Sequence, residues 1–377
     1  MNKYGIPPHL YERPMEIELI RSMRHKPLTE KQNQTLNKLL RSAEDTKDAF
    51  IVKSATEWLD EGNKQQQLTK LFGDFWTEGE LCFLFADTNV GKSILAVQIG
   101  NAISRGEPIP GFDMRTKPTT VLYFDFELST KQFESRYRCP QRGNYKFAPD
   151  FYRVVFNPDA TGMEKFASYT DYLNNAIENI LVVSKARVII IDNITCLRGG
   201  TEAAASALSL MRQLQLLKGK YGLSVLVLAH TPKRRASKPL SRNDLQGSKM
   251  LINFADSAFA IGESETMRGM RYLKQIKQRS GEEVYGAQNV CLARIQKAAA
   301  FLQFDFTGTG AEAHHLLHYT EDIRKQTEDR ILALHRQGHP LRYIANLVGV
   351  SLNRVFITVK AMEGKEKRVN EGDENGA

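Results

Sequence analysis

A chain of 377 residues, 42% hydrophobic, 25% charged and 9% aromatic, has the composition of a soluble globular protein with a sizeable core and room for two or three units. No apolar run approaches the ~20 residues that cross a bilayer, and the opening MNKYGIPPHLYERPMEIELI lacks the basic start, apolar centre and cleavage site of a signal peptide, so a cytoplasmic protein with no membrane partner is expected. The net charge of +9 favours a polyanionic partner, and the scattered Cys82, Cys139, Cys196 and Cys291 offer neither a disulfide framework nor zinc-ligand spacing.

Residues 1–70 are polar and patchily helical. Pro7, Pro8, Pro14 and Pro27 interrupt their first part, and TEKQNQTLNKLLRSAEDTKDAF reads as one exposed helix over 29–50, with too few apolar side chains for a separate core. From residue 71 short apolar runs (ELCFLFA, TVLYFDFEL, FYRVVF, RVIIID, SVLVLAH) alternate with helical stretches such as KSILAVQIGNAISRG and TEAAASALSLMRQLQLLKGKYG. Continuous apolar strands with helices between them predict an α/β fold with a mainly parallel sheet covered on both faces. After Asp256 strand follows strand, in RYLKQIKQ, NVCLARIQK, FLQFDF and HHLLHYT, which predicts an antiparallel extension up to residue 320. The last residues, 365–377, read as a disordered polar tail.

The strongest motif is ADTNVGKS: Ala86, Asp87, Thr88, Asn89, Val90, Gly91, Lys92 and Ser93, placed between an apolar strand and a helix. That order defines a P-loop, in which backbone N–H groups and the helix N-terminus cradle the phosphates of ATP, Lys92 reaches the β- and γ-phosphates and the Ser93 hydroxyl ligates Mg²⁺. Ala86 stands where the strict pattern has Gly. RVIIID ends an apolar strand in Asp192, which would organise the metal. An apolar run with a terminal Asp is common in α/β sheets, and its company with the P-loop gives it this role. The strand between them ends in Asp125 and Glu127, which period-2 alternation puts on one side; Glu127 is favoured as the base activating water, although ELSTKQF also begins a helix that such an acid could cap. SVLVLAH ends in His230, placed to sense the γ-phosphate, and the segment from Lys233 to Lys249 carries six basic residues and one acid, among them Lys233, Arg234, Arg235 and Arg242. It reads as a flexible basic loop contacting single-stranded DNA, or as a solvated surface loop.

Over about residues 75–310 these features resemble the RecA-type ATPase superfamily, and within it the RepA-like hexameric replicative helicases of plasmids and mobile elements. The resemblance rests on LFGDFWTEGELCFLFADTNVGKS, YFDFELS, VIIID, LVLAHT, GSKMLINFADSAFAI and LKQIKQRS. It implies a catalytic base at Glu127 and a sensor at His230, and its Lys-x-Arg pair, matched by Lys277 and Arg279, would enter a neighbouring subunit's active site in a homo-oligomer, a hexamer by analogy. The family includes proteins that are not helicases.

Residues 321–364 hold apolar positions suited to three short helices. Ile344, Ala345, Val348, Gly349, Val350 and Val355 follow a helix-turn-helix arrangement, with Ser351 capping its second helix. The segment resembles the reader of DNA invertases and resolvases, which implies duplex DNA contacts by Asn353, Arg354 and Thr358, with Lys360 nearer phosphate. Phe356 and Ile357 depart from that pattern by leaving apolar surface beside the reading face. The leading reading is a ring-forming ATPase acting on DNA. A DNA-bound regulatory or partitioning switch and a nucleotide-dependent scaffold are its rivals.

Overall fold

The computed structural model describes residues 29–31, 34, 51–64, 69–194, 203–245, 251–317 and 321–373. Chain contacts divide it into two units, Met1–Gln67 and Leu68–Ala377. In the first, helix α1 (Ala55–Lys64) opens on a reciprocal cap: Glu57 N–H donates to Ser54 Oγ at 3.2 Å, and Ser54 N–H donates to Glu57 Oε2 at 2.8 Å. None of its residues is buried. The helix expected over 29–50 lies, apart from residues 29–31 and 34, outside the described residues.

The second unit begins with the short hairpin β1 (Lys70–Phe72) and β2 (Trp76–Thr77), followed by β3 (Leu81–Ala86), α2 (Lys92–Arg105), β4 (Val121–Asp125), α3 (Thr130–Arg136), a small ribbon of β5 (Arg138–Cys139) and β6 (Gly143–Asn144), β7 (Phe151–Val154), α4 (Tyr169–Ser184), β8 (Val188–Asp192), α5 (Ala203–Tyr221) and β9 (Ser224–His230). Then come α6 (Leu251–Phe254), β10 (Ser257–Glu263), β11 (Met270–Lys277), β12 (Val290–Ala298) and β13 (Phe301–Gly310). Among the described residues one large sheet forms in the order β13-β12-β11-β10-β3-β9-β8-β4-β7. From β10 to β7 all pairs are parallel, and β11, β12 and β13 add antiparallel strands to the β10 edge. This is the α/β architecture the apolar runs predict.

Alternation along β3 explains why both faces are covered. Cys82, Leu84 and Ala86 join the core packed by α2, whereas Leu81, Phe83 and Phe85 join the opposite core packed by α4, α5 and α6. Helix α2 is buried almost all round, because the parallel strands pack against one side of it and β12 and β13 of the same sheet against another. Gln98 is therefore a core residue, and it is satisfied by a two-way bond to Phe304: its Nε2 donates to the Phe304 carbonyl at 3.0 Å and its Oε1 accepts from Phe304 N–H at 2.8 Å.

The expected strand HHLLHYT is absent among the described residues. Its start lies in a 3₁₀ turn, Glu312–His315, because the local bonds run elsewhere: Glu265 N–H donates to the His315 carbonyl at 3.0 Å and Thr266 Oγ1 to the His314 carbonyl at 2.7 Å. The chain ends in three helices, α7 (Glu321–Arg336), α8 (Leu341–Val348) and α9 (Leu352–Asp373), around Ile331, Ile344, Ala345, Val355 and Val359. Gly338 and Gly349, both at positive φ, make the turns, and α8 meets the first part of α9 at 116°. Helix α9 runs to Asp373, past residue 365 where the sequence predicts a disordered tail; Lys, Glu and Arg are good helix formers and extend it. Among the described residues no single helix is long and apolar enough to cross a membrane.

Candidate active site

Strand β3 delivers the chain to Ala86, and α2 begins six residues later at Lys92. Between them Asn89 has φ 61° and Gly91 φ 112°. A Cβ at Gly91 would sit 2.6 Å from Ile295 Cδ1 and 2.9 Å from Phe304 Cζ, so the loop needs glycine both for its conformation and for this approach. No side chain caps α2. Its free N–H groups and positive dipole end are left for an anion, which is what a nucleotide phosphate requires.

Lys92 is 6% exposed and lies back across the loop, donating to the carbonyls of Ala86 at 3.0 Å and Asp87 at 2.8 Å. Burial lowers its pKa, and the carboxylates of Asp192, Glu127 and Asp87 oppose that shift. Its ammonium also lies 3.2 Å from His230 Nδ1. The other ring nitrogen, Nε2, lies 3.2 Å from Glu127 Oε1. Asn193 Nδ2 donates to the same Glu127 oxygen and lies 3.0 Å from His230 Nε2. Lys92, His230, Asn193 and Glu127 thus form one chain of contacts across the ends of β3, β9, β8 and β4, strands whose registers align Ala86 with His230 and Asp125 with Asp192.

Asp192 is fully buried; Tyr123 Oη donates to its Oδ2 at 2.7 Å, while Oδ1 has no hydrogen-bond partner. Burial pushes its carboxyl up to about 6, against the lowering effect of the Ser93 and Tyr123 hydroxyls. An orphaned buried carboxylate oxygen beside a P-loop hydroxyl is a hard-oxygen site suited to Mg²⁺. Among the described residues no cluster of three or more His, Cys, Asp and Glu could hold a metal alone. The donor set fits an ion held jointly with nucleotide phosphates and water.

The structure separates the two carboxylates that alternation could not. Asp125 is 2% exposed; its Oδ1 accepts from the N–H groups of Glu127 (3.2 Å) and Leu128 (2.9 Å), and its Oδ2 from Arg153 Nε at 2.8 Å. It holds the turn after β4. Glu127 is left facing His230, and the helix α3 that follows is capped by Ser129 and Gln132 instead. Sequence reasoning missed Arg153, Asn193 and Arg271. Asn193 follows Asp192 directly, which was the available signal, whereas Arg271 Nε reaches the Val90 carbonyl at 2.9 Å from a distant strand.

Lys277 and Arg279 do not enter this chain's own site. Lys277 pairs with Ala258 of β10, whose parallel partner in β3 is Phe83, three residues before the P-loop begins and roughly 10 Å along the strand. Lys277 Nζ donates to the Ile252 carbonyl at 2.7 Å; Arg279 pairs with Asp256 at 3.1 Å and donates to the Asn253 carbonyl at 3.2 Å.

In the segment after His230, Lys233 and Arg235 are exposed, but Arg234 is turned inward: it donates to the Lys238 carbonyl and lies 3.9 Å from Asp244. That removes Arg234 from the expected DNA-facing set. Arg242 is exposed, with Nε donating to the Ile276 carbonyl at 3.2 Å. Nor is the segment a free loop over its described part. Leu240 N–H donates to Glu312 Oε1 at 2.6 Å, the buried Lys274–Glu312 pair at 2.5 Å backs it, and Leu317 N–H donates to the Ala236 carbonyl at 3.2 Å. Residues 246–250 lie outside the described residues.

Asn353 is exposed, Thr358 half-buried, and Arg354 half-buried with Glu328 3.7 Å away. Asn353, Arg354 and Thr358 line a cleft of about 380 Å³ whose other wall includes Arg235. Phe356 and Ile357 are 48% and 58% exposed, so they do not pack on the ATPase core.

The AAA domain family matches residues 43–236, just over half of the chain and a span that includes the P-loop, Glu127, Asp192 and His230. None of the curated proteins matches. Among solved structures, a KaiC-like protein from the hyperthermophilic archaeon Pyrococcus horikoshii OT3 is similar at 13% identity and a TM-score of 0.43, over 64% of this chain and 99% of that one. With the phosphate cradle, the orphaned aspartate and the Glu127–His230 pair all inside the matched span, the chain belongs to the AAA domain family and is a P-loop ATPase.

Proposed function

We propose that this ATPase forms a ring, a hexamer by its resemblance to RepA-like proteins, and acts on DNA as a replicative helicase or DNA-processing motor of a plasmid or mobile element. One observation carries the reading: the sensor His230 opens directly into a tethered basic segment whose Arg235 shares a cleft with Asn353, Arg354 and Thr358. A contact that reports on Glu127 and Lys92 is thereby linked in sequence to a basic surface suited to a polyanion. Ring formation is supported by Lys277 and Arg279, which lie too far along the sheet to serve their own nucleotide.

Within the site, when bound, Mg²⁺ supplies charge neutralisation of the phosphates. Lys92 and the α2 N–H groups would bind the triphosphate, Ser93 and Asp192 would hold the metal, and Glu127 would take a proton from the attacking water while His230 and Asn193 orient its carboxylate. The 116° crossing of α8 and α9 suits a helix-turn-helix, which favours as a second reading a DNA-bound switch that hydrolyses ATP without unwinding.

The test is ATP hydrolysis by wild type and Glu127→Gln against protein concentration, with and without single-stranded DNA, followed by strand displacement on a forked duplex. Turnover per chain that rises with concentration and with DNA, and vanishes in Glu127→Gln, supports the motor. DNA-stimulated hydrolysis without displacement supports the switch, and turnover indifferent to both concentration and DNA overturns both.

A further inference from the structure

Arg242 sits in a 3₁₀ turn, Arg242–Asp244, capped reciprocally by Ser241 and Asp244. The turn is held two residues upstream by the Leu240–Glu312 bond, so the guanidinium is presented from a fixed backbone. Its Nε donates to the Ile276 carbonyl, the peptide immediately before Lys277. Arg242, Lys277 and Arg279 are all anchored on backbone carbonyls, those of Ile276, Ile252 and Asn253, around the C-terminal end of β11.

The nearby acids do not neutralise this group. Asp256 is shared between Lys218 at 2.6 Å, Arg279 at 3.1 Å and the Leu81 N–H, and Glu80 accepts from the hydroxyls of Ser257 and Ser280 and from Thr77 N–H. The phosphate site has the opposite deficit. Arg153 is spent on Asp125 and the Leu128 carbonyl, Arg271 on the Val90 carbonyl and Glu263, and Arg234, which lines the cleft beside Asp87 and Thr88, on the Lys238 carbonyl and Asp244, while Lys92 lies across the loop itself. A triphosphate approaching its transition state needs more positive charge than that.

We propose that Arg242 is a third member of the trans-acting cation group: with Lys277 and Arg279 it contacts the triphosphate held in the P-loop of a neighbouring copy. This rests on the trans-completion reading above and removes Arg242 from the DNA-facing set. A compact group of three fixed cations suits one triphosphate, whereas an extended DNA backbone is tracked by charges spread along a groove. Burial, and the neighbouring charges of Arg279 and Arg242, lower the Lys277 pKa, in keeping with cations held close together without a full complement of acids.

The experiment compares full-length Arg242→Ala, Arg242→Lys and Arg279→Ala in DNA-free ATP turnover, then mixes Arg242→Ala with Glu127→Gln. The proposal expects Arg242→Ala to lose about tenfold or more in turnover, Arg242→Lys to regain part of it, and the equimolar mixture to exceed either variant alone. Mixing restores activity because about a quarter of head-to-tail interfaces then join an intact Glu127 to an intact Arg242. Full DNA-free turnover in Arg242→Ala, with weaker binding to single-stranded DNA, makes Arg242 a DNA contact and overturns the proposal alone. A loss that mixing does not restore assigns Arg242 to its own subunit and also overturns it. If Arg279→Ala keeps full turnover and wild-type activity per chain ignores concentration, the trans-completion reading falls and takes this proposal with it.

Discussion

His230 Nε2 lies 3.2 Å from Glu127 Oε1, and the same ring reaches Lys92 through Nδ1 at 3.2 Å. One imidazole ring therefore spans the residue that would activate water and the residue that would hold the phosphates. Replacing His230 by Ala should lower kcat about 10²-fold and change nucleotide affinity only severalfold, because Lys92 and the loop remain. Steady-state kinetics beside titration with a fluorescent ATP analogue decides it. A collapse in affinity with unchanged kcat would make His230 a binding residue only.

The two acids after β4 should behave oppositely. Glu127→Gln should abolish most turnover while leaving the urea midpoint close to wild type. Asp125→Ala strands the Arg153 guanidinium, 17% exposed, without its carboxylate, and should cost about 3–5 kcal/mol of stability. Chemical denaturation of both variants tests the assignment; a stable Asp125→Ala protein with no turnover would reverse it.

The buried pair Lys274–Glu312 gives a third prediction. Glu312→Ala leaves a buried ammonium unpaired and frees Leu240 N–H, so the protein should lose about 3–5 kcal/mol. Hydrogen exchange at Leu240 should accelerate, while the Lys274→Met/Glu312→Leu double variant recovers much of the stability. Unchanged exchange in Glu312→Ala would mean that the segment is held by other bonds.

Lys277 supplies a dependence on pH. Its pKa is lowered from 10.5, first by burial and then by the charges of Arg279 and Arg242. The folded protein therefore releases this proton at a lower pH than the unfolded chain does. Keeping Lys277 charged costs stability in full below the folded pKa, and that cost fades as pH rises towards 10.5. If the charge serves turnover, activity should fall over the same alkaline range and Lys277→Arg should extend the active range upward. An identical alkaline limb in Lys277→Arg would exclude Lys277 as its source.

Much of the fold was legible because β3, β4, β8 and β9 are apolar runs, β4 and β8 ending in aspartate and β9 in histidine, and because the P-loop ending in Gly91-Lys92-Ser93 joins β3 to a helix. Period-2 alternation could not rank Asp125 against Glu127, since the choice depends on Arg153 arriving from β7. The basic stretch from Lys233 read as a loop, because nothing local reveals that Glu312, 72 residues beyond Leu240, fastens it. His314 to Thr320 has strand-like composition, yet its first carbonyls are taken by Glu265 and Thr266. Charge alone could not divide Arg234, Arg235 and Arg242 among inward, cleft-facing and strand-end positions.

The two-way bond between Gln98 and Phe304 leaves the phosphate-binding helix no free side. With the sheet below it and β13 fastened along its flank, α2 cannot pivot when a nucleotide arrives or departs without breaking a buried amide pair. The anion cradle is an anvil. Whatever the nucleotide does to this molecule has to be expressed through Glu127, just past β4, and His230, at the end of β9, whose side chains, unlike those of α2, are still partly exposed.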